Sequence, residues 1–249
     1  MSAKKYLIVN ADDFGQSPGI NQGIIEAHEH GIVTSASLMT RWLGAGEAAL
    51  YAKQHPTLSV GLHLDLGEWV YLGGNWEPVY IVVPMDDKEA VKREVLHQLD
   101  SFRSLMGRDP IHINSHQGFH MREPVRSVAL QIGERLGIPL RNMCPGINYF
   151  ERFYGQTYDG MPLPSHLELD WLIDSLATLP AGLTVLVCHP GNANDLKTVY
   201  RKERAQELQV LCDPKLRTAL ADLGIKLCGF DNWRELANGS AQPVESRNS

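Results

Sequence analysis

Residues 6–15 read YLIVNADDFG, a short apolar run that ends in two adjacent acids and a glycine. Tyr6 to Val9 shows no polar face, the mark of a strand buried on both sides in a parallel sheet. Lys4 and Lys5 bound the run on one side, and an Asn-Ala-Asp-Asp turn is expected on the other. Asp12 and Asp13 then fall at the end of a core strand, the edge that carries ligands in α/β sheets and barrels. Two neighbouring carboxylates repel unless a cation or a proton separates them, so one is expected on a metal ion. Capping the helix that starts near Ser17-Pro18 would employ only one acid.

Outward from this stretch, strand and helix patterns alternate. Helices are expected at Gly19–His30, Gly44–Gln54, Asp87–Met106, Pro124–Leu136 and His166–Leu179, with a long helix or helix pair over Tyr200–Leu223. Strands are expected at Ile32–Met39, Leu58–Leu66, Ile111–His116, Gly137–Arg141, Leu183–Cys188 and Lys226–Phe230. Trp69–Pro84 interrupts the rhythm as an insertion, and Asn142–Pro164 reads as a long irregular loop. The pattern specifies one α/β domain over residues 1–237, a parallel barrel or an open doubly wound sheet, with a flexible polar tail over 238–249.

Composition narrows the function. A net charge of -6 with no basic run excludes nucleic acid and anionic membrane surfaces as obvious partners and favours a small neutral or cationic molecule. The four cysteines, Cys144, Cys188, Cys212 and Cys228, form no C-x-x-C pair, which fits reduced thiols in a cytoplasmic protein. The apolar run in MSAKKYLIVN is too short for a signal peptide or a membrane span.

Three histidines end predicted core strands on the same edge as the acids: His63 in VGLHLD, His116 in HINSHQGFH and His189 in VLVCHPG. Alternation along a strand puts His112, Asn114 and His116 on one face, with His120 in the loop past Gly118. The preceding strand and Gly118 argue against reading His116 and His120 as a helical metalloprotease pair. Two imidazoles and one carboxylate suit a transition metal and leave positions open for water and substrate, so Asp13, His63 and His116 are the candidate ligands.

The segments NADDFGQSPGINQGIIEAHEHGIVTSASLM, GLHLDLGE, HINSHQGFHM and VCHPG, in that order within residues 5–232, resemble the YdjC family of carbohydrate deacetylases, relatives of the polysaccharide deacetylases. The resemblance implies a deformed (β/α) TIM-like barrel, a divalent metal, and removal of an N-acetyl group from an acetylated amino sugar. The family's ligands fall on Asp13, His63 and His116, its catalytic base on Asp12, and the histidine of its late His-Pro motif, the proton donor to the leaving amine, on His189. Two departures stand out: Asn114 where the family commonly has aspartate, and Gln117-Gly118-Phe119-His120 where it has further histidines. Zinc is favoured by affinity for this donor set, and magnesium is implied by the resemblance.

Arg141 either pairs with Asp12 and holds it ionised or lies on the surface. His120, Asp65, Trp69 and Tyr149 are candidate contacts to a small saccharide. The aromatic clusters at Trp69–Tyr80 and Tyr149–Tyr158 suit sugar faces or the interface of a homodimer. A metal-dependent sugar isomerase or epimerase would want a lysine or second acid poised for proton transfer at carbon, and no strand-end lysine is visible. A non-catalytic sugar sensor would have no use for Asp12 and His189.

Overall fold

The computed structural model describes residues 4–196 and 198–238, so the tail expected from 238 lies outside the described residues apart from the backbone of Asn238. Nine strands and eight α-helices alternate among these residues. In chain order the first part runs β1 (Lys5–Phe14), α1 (Pro18–Glu29), β2 (Ser35–Leu38), α2 (Ala45–Gln54) and β3 (Ser59–Leu64). A hairpin of β4 (Gly67–Leu72) and β5 (Asn75–Ile81) follows, then α3 (Lys88–Met106), β6 (Ile113–Ser115), α4 (Val125–Leu136) and β7 (Ile147–Phe150). The last part holds α5 (Leu169–Ala177), β8 (Gly182–Cys188), α6 (Arg201–Leu211), α7 (Pro214–Asp222), β9 (Ile225–Leu227) and α8 (Trp233–Asn238).

All pairings of the seven-stranded sheet are parallel, in the order β6-β3-β2-β1-β8-β7 with β9 also against β1. The sheet curls into an incomplete barrel, the deformed TIM-like form that the resemblance implied. Alternation along the strands divides its residues between two environments. Leu7, Val9, Ala11, Val60, Leu62, Leu64 and Ile113 pack against the helix layer. Ile8, Leu183, Val185 and Phe230 form a separate apolar floor inside the barrel. The helices turn matching stripes inward. In α3, Val91, Val95, Leu99, Phe102 and Met106 are buried, between an N-cap at Asp87 and a left-handed Gly107. Truncating one such side chain to alanine costs about 2–5 kcal/mol.

Several expectations required correction. The first strand does not turn at the acids but runs on to Phe14. Gly137–Arg141 is no strand: Leu140 makes a single parallel bridge to Ile113, and Pro139, lacking an N–H, cannot extend a ladder. The loop over 142–164 contains β7, paired in parallel with β8. Its four residues are too few to show a period. The insertion at 69–84 is largely the antiparallel hairpin β4–β5. Of the two readings of 200–223 the helix pair is observed, divided where Asp213 caps α7 and Pro214 lacks an N–H for α6 to continue.

Candidate active site

Above the apolar floor, the inward positions of the strands turn polar. Ser35 donates to Asn10 Oδ1 at 2.7 Å, and Asn10 Nδ2 donates to Ser37 Oγ and to Asp12 Oδ1, both at 2.8 Å. Asn114 Nδ2 donates to the same two oxygens, at 3.0 and 2.9 Å. His112 stacks on Phe230 with ring centroids 4.3 Å apart, and its Nε2 lies 3.0 Å from Ser37 Oγ. Burial holds its pKa down to about 3, so it is a neutral part of this layer.

At the rim the acids need special backbone. Ala11 pairs with Ala36 and Phe14 with Leu38, so Asp12 and Asp13 together oppose the single residue Ser37. Asp13 has φ +67, a left-handed conformation that costs a non-glycine residue about 1 kcal/mol or more. This bulge turns both carboxylates toward one cavity of about 350 Å³, which neighbouring residues of a regular strand could not share.

Asp12 has three donors on Oδ1 and one on Oδ2. Arg141 binds it through both Nη atoms, at 2.6 Å to Oδ2 and 2.7 Å to Oδ1. Burial alone would raise the Asp12 pKa, but the Arg141 charge, with His63 and His189 nearby, holds it well below the usual carboxylate range. His189 Nε2 is 3.9 Å from Asp12 Oδ2.

Asp13 Oδ1 lies 3.2 Å from His63 Nε2 and 3.1 Å from His116 Nδ1, and Arg204 Nη2 donates to Oδ2 at 2.5 Å. Ligand atoms of Asp13, His63 and His116 all lie within 4.8 Å of one another, close enough to hold one ion. The protons support this fit. Because Asn114 spends its Nδ2 on Asp12 and Ser37, its Oδ1 accepts from His63 Nδ1 at 2.7 Å. A neutral His63 therefore aims the lone pair of Nε2, which has no hydrogen-bond partner among the described residues, at the Asp13 carboxylate. Two acceptors face each other there, an arrangement a cation relieves. With no cation bound, burial disfavours charge on His116, but Asp13 and Glu68 outweigh it and raise the pKa to about 10. Glu68 Oε2 stands 3.8 Å from His116 Nε2. Each candidate ligand thus has its own partner: Asn114 for His63, Glu68 for His116 and Arg204 for Asp13.

The other candidates divide. His120 lines the cavity, with Nδ1 2.8 Å from Ser115 Oγ, in a 3-10 turn (His116–Met121) kinked at Gln117 and Gly118. Trp69 also lines it, fixed by Gln117 through paired hydrogen bonds of 2.9 and 2.8 Å to its backbone N–H and carbonyl. Asp65 is buried outside the cavity, accepting from Trp42 Nε1 at 3.0 Å and Tyr80 Oη at 2.9 Å, so it ties the hairpin to the barrel. Tyr149 lines a small interior void with His112, Val185 and Phe230, beneath Arg141. A second, aromatic-walled cavity of about 780 Å³ shares Trp69, Gln117, Tyr154 and Val199 with the first. Both aromatic clusters contribute to it, and Trp76 meets Tyr158 with ring centroids 5.2 Å apart.

Residues 6–222 match the family model described as YdjC-like protein. The chain belongs to the YdjC-like family. It is 34% identical to a carbohydrate deacetylase of Geobacillus stearothermophilus, covering 93% of this chain and 99% of that one. A chitooligosaccharide deacetylase of Serratia marcescens is 31% identical, with coverage of 92% and 99%. A solved structure from Enterococcus faecalis V583 superposes with TM-score 0.72 at 26% identity, covering 92% of this chain and 99% of that one. A family 4 carbohydrate esterase from Streptomyces lividans shares the fold at TM-score 0.54 and 14% identity, with coverage of 92% and 93%.

Within this YdjC-like chain, α6 carries a part of the site that sequence reading missed. Arg204, Glu207 and Leu211 are its buried face. Glu207 Oε1 accepts from Tyr200 Oη at 2.7 Å, and its Oε2 accepts the backbone N–H of His189. His189 Nδ1 is 3.8 Å from Glu207 Oε1, and Tyr154 meets the ring edge-on at 5.3 Å. The loop after His189 is seated by α1, because a Cβ on Gly23 would fall 2.4 Å from Gly191 Cα. The apolar periodicity of α6 is poor, so only its charged residues at i and i+3 could have signalled an inward face.

Proposed function

We propose that the chain is a metal-dependent hydrolase that removes the N-acetyl group of an acetylated amino sugar or short oligosaccharide. The observation that carries the reading is the cluster of Asp13, His63 and His116 around one point, with Asp12 and His189 lining the same cavity. The names of its relatives supply the substrate class. Asp13 Oδ1, His63 Nε2 and His116 Nδ1 would hold a divalent cation, zinc by donor type or magnesium by resemblance. Such an ion would lower the pKa of water toward neutrality and polarise the acetyl carbonyl.

The chain's own groups do the rest. Asp12, kept ionised by Arg141, takes a proton from the attacking water through Oδ2 as the C–O bond forms. His189 gives the Nε2 proton to the departing nitrogen as the C–N bond breaks, which turns a poor amide leaving group into an amine. His120 and Trp69 line the space around the acetamido group, and the aromatic cavity beside it suits the apolar faces of further sugar rings. Asp65 and Tyr149 support this arrangement without reaching it. A cytoplasmic place of work completes the reading.

Acetate release from N-acetylated mono- and disaccharides, with zinc or magnesium added to metal-free protein, tests it. Metal-stimulated release is expected. Its absence across the panel, or a new sugar isomer in its place, overturns the assignment. The exposed Leu72, Val79 and Ile81 beside Trp76 also fit contact with a second copy, and sedimentation of the Trp76→Ala variant tests for a homodimer there.

A further inference from the structure

Arg204 is a buried guanidinium placed against one of the three candidate metal ligands, where a second cation is the least expected neighbour. It is 4% exposed, and its Nη2 stands 2.5 Å from Asp13 Oδ2. Nη1 reaches the carbonyl of His189 at 3.4 Å, the Cζ lies 5.9 Å from the Tyr200 ring, and Nε is buried without a partner among the described residues. The guanidinium never loses its proton, so this charge is permanent. Asp13 Oδ1, by contrast, faces His63 Nε2 at 3.2 Å and His116 Nδ1 at 3.1 Å.

We propose that Arg204 is a positioning residue that confines Asp13 to one-oxygen ligation and thereby holds down the affinity of the site for its metal. The inference rests on the reading that Asp13, His63 and His116 hold a divalent cation.

A carboxylate ligates a cation through either one oxygen or two. With Oδ2 committed to Arg204, the position that a second carboxylate oxygen would occupy stays available to water and the acetyl carbonyl, as catalytic sites require. The guanidinium also draws electron density from Asp13 and repels a second cation across it. The sign of this effect is unusual. Groups behind metal ligands are normally supportive, and their loss weakens binding by about ten- to a hundredfold. Loss of Arg204 instead frees Oδ2 and removes a repulsion.

The test compares wild type with Arg204→Met, Arg204→Gln and Arg204→Lys, each stripped of metal and titrated with zinc and with magnesium against a chromophoric chelator. Arg204→Met is expected to bind metal about tenfold more tightly than wild type and to show a larger rise in Tm on loading, starting from a lower metal-free Tm. Arg204→Gln keeps a donor to Asp13 and covers the case in which the Met variant does not fold without metal. It is expected to bind severalfold more tightly, and Arg204→Lys to bind as wild type does. Unchanged or weaker metal binding by the folded neutral variants overturns the inference. Wild type that binds neither ion would instead overturn the metal-site reading, and the inference with it.

Discussion

Asp12 and Asp13 are consecutive residues of one strand, yet both carboxylates enter the same cavity, because a bulge opposes the pair to Ser37 and sets Asp13 at φ +67. The two acids then part company. Asp12 is held by Arg141, and Asp13 by His116 and Arg204, with His63 Nε2 facing it.

That division predicts opposite phenotypes for two minimal substitutions. Asp12→Asn is expected to retain stoichiometric metal while turnover falls by at least about a hundredfold, the scale of general-base catalysis. Asp13→Asn, His63→Ala and His116→Ala are each expected to lose bound metal. Elemental analysis beside acetate-release assays separates the cases, and turnover near wild type in metal-loaded Asp12→Asn would remove the base role.

Arg141→Met leaves a buried carboxylate with its amide donors but no countercharge. Breaking such a pair costs about 3–5 kcal/mol. Urea unfolding of the metal-free protein is expected to show a loss of that order, and a loss under about 1 kcal/mol would place the pair among weak surface bridges.

Glu207→Gln removes charge without volume behind His189. The reading of Glu207 as the support of a proton donor predicts a kcat lowered by up to about a hundredfold at unchanged KM, the cost of a small misplacement. A change confined to KM would assign it to substrate binding.

His112 supplies the pH dependence. Its pKa is about 3 when folded, against an ordinary value near 6.5, so below that value the unfolded chain binds a proton that the folded chain refuses. Its contribution is complete above pH 6.5 and is lost as the pH falls toward 3, at about 1.4 kcal/mol per pH unit. His120, also held at about 3 by burial, acts in the same direction. His112→Gln is expected to flatten stability between pH 6.5 and 5, and a variant as acid-sensitive as wild type would refute the assignment.

Trp76→Ala tests the aromatic cavity. A ring contact worth about 0.5–1.5 kcal/mol predicts a KM raised roughly two- to tenfold for disaccharide substrates and unchanged for monosaccharides. An equal effect on both would detach the cavity from sugar binding.

The path from sequence to site was clear where chemistry sits on regular periodicity. The runs at 6–9 and 183–188 announced buried central strands, and β1 and β8 do pair along their length. The histidines at 63, 116 and 189 sit at or just beyond strand ends, as alternation required. Three other features were not legible. The bulge depends on pairing with β2, which no local pattern encodes. Asp65 looked available beside His63 but is spent on Trp42 and Tyr80, partners fixed by the hairpin's docking. Arg204 and Glu207 reach the site from a helix whose inward face is charged, so the usual apolar signal of burial is missing there. Asn114, through its amide, donates to Asp12 while accepting from His63, where another carboxylate would add repulsion.

The two arginines that neutralise the opening acids lie 129 and 191 residues further along the chain. During synthesis, the strand bearing Asp12 and Asp13 leaves the ribosome long before either guanidinium exists. Until α6 emerges, closing the sheet around β1 would bury Asp13 Oδ2 without its guanidinium, so nascent chains that stop short of residue 204 should remain sensitive to protease and recruit chaperones. The same spacing makes the molecule indivisible: a fragment ending between β7 and α6 would keep all three candidate metal ligands yet lack the guanidinium that holds Asp13 Oδ2.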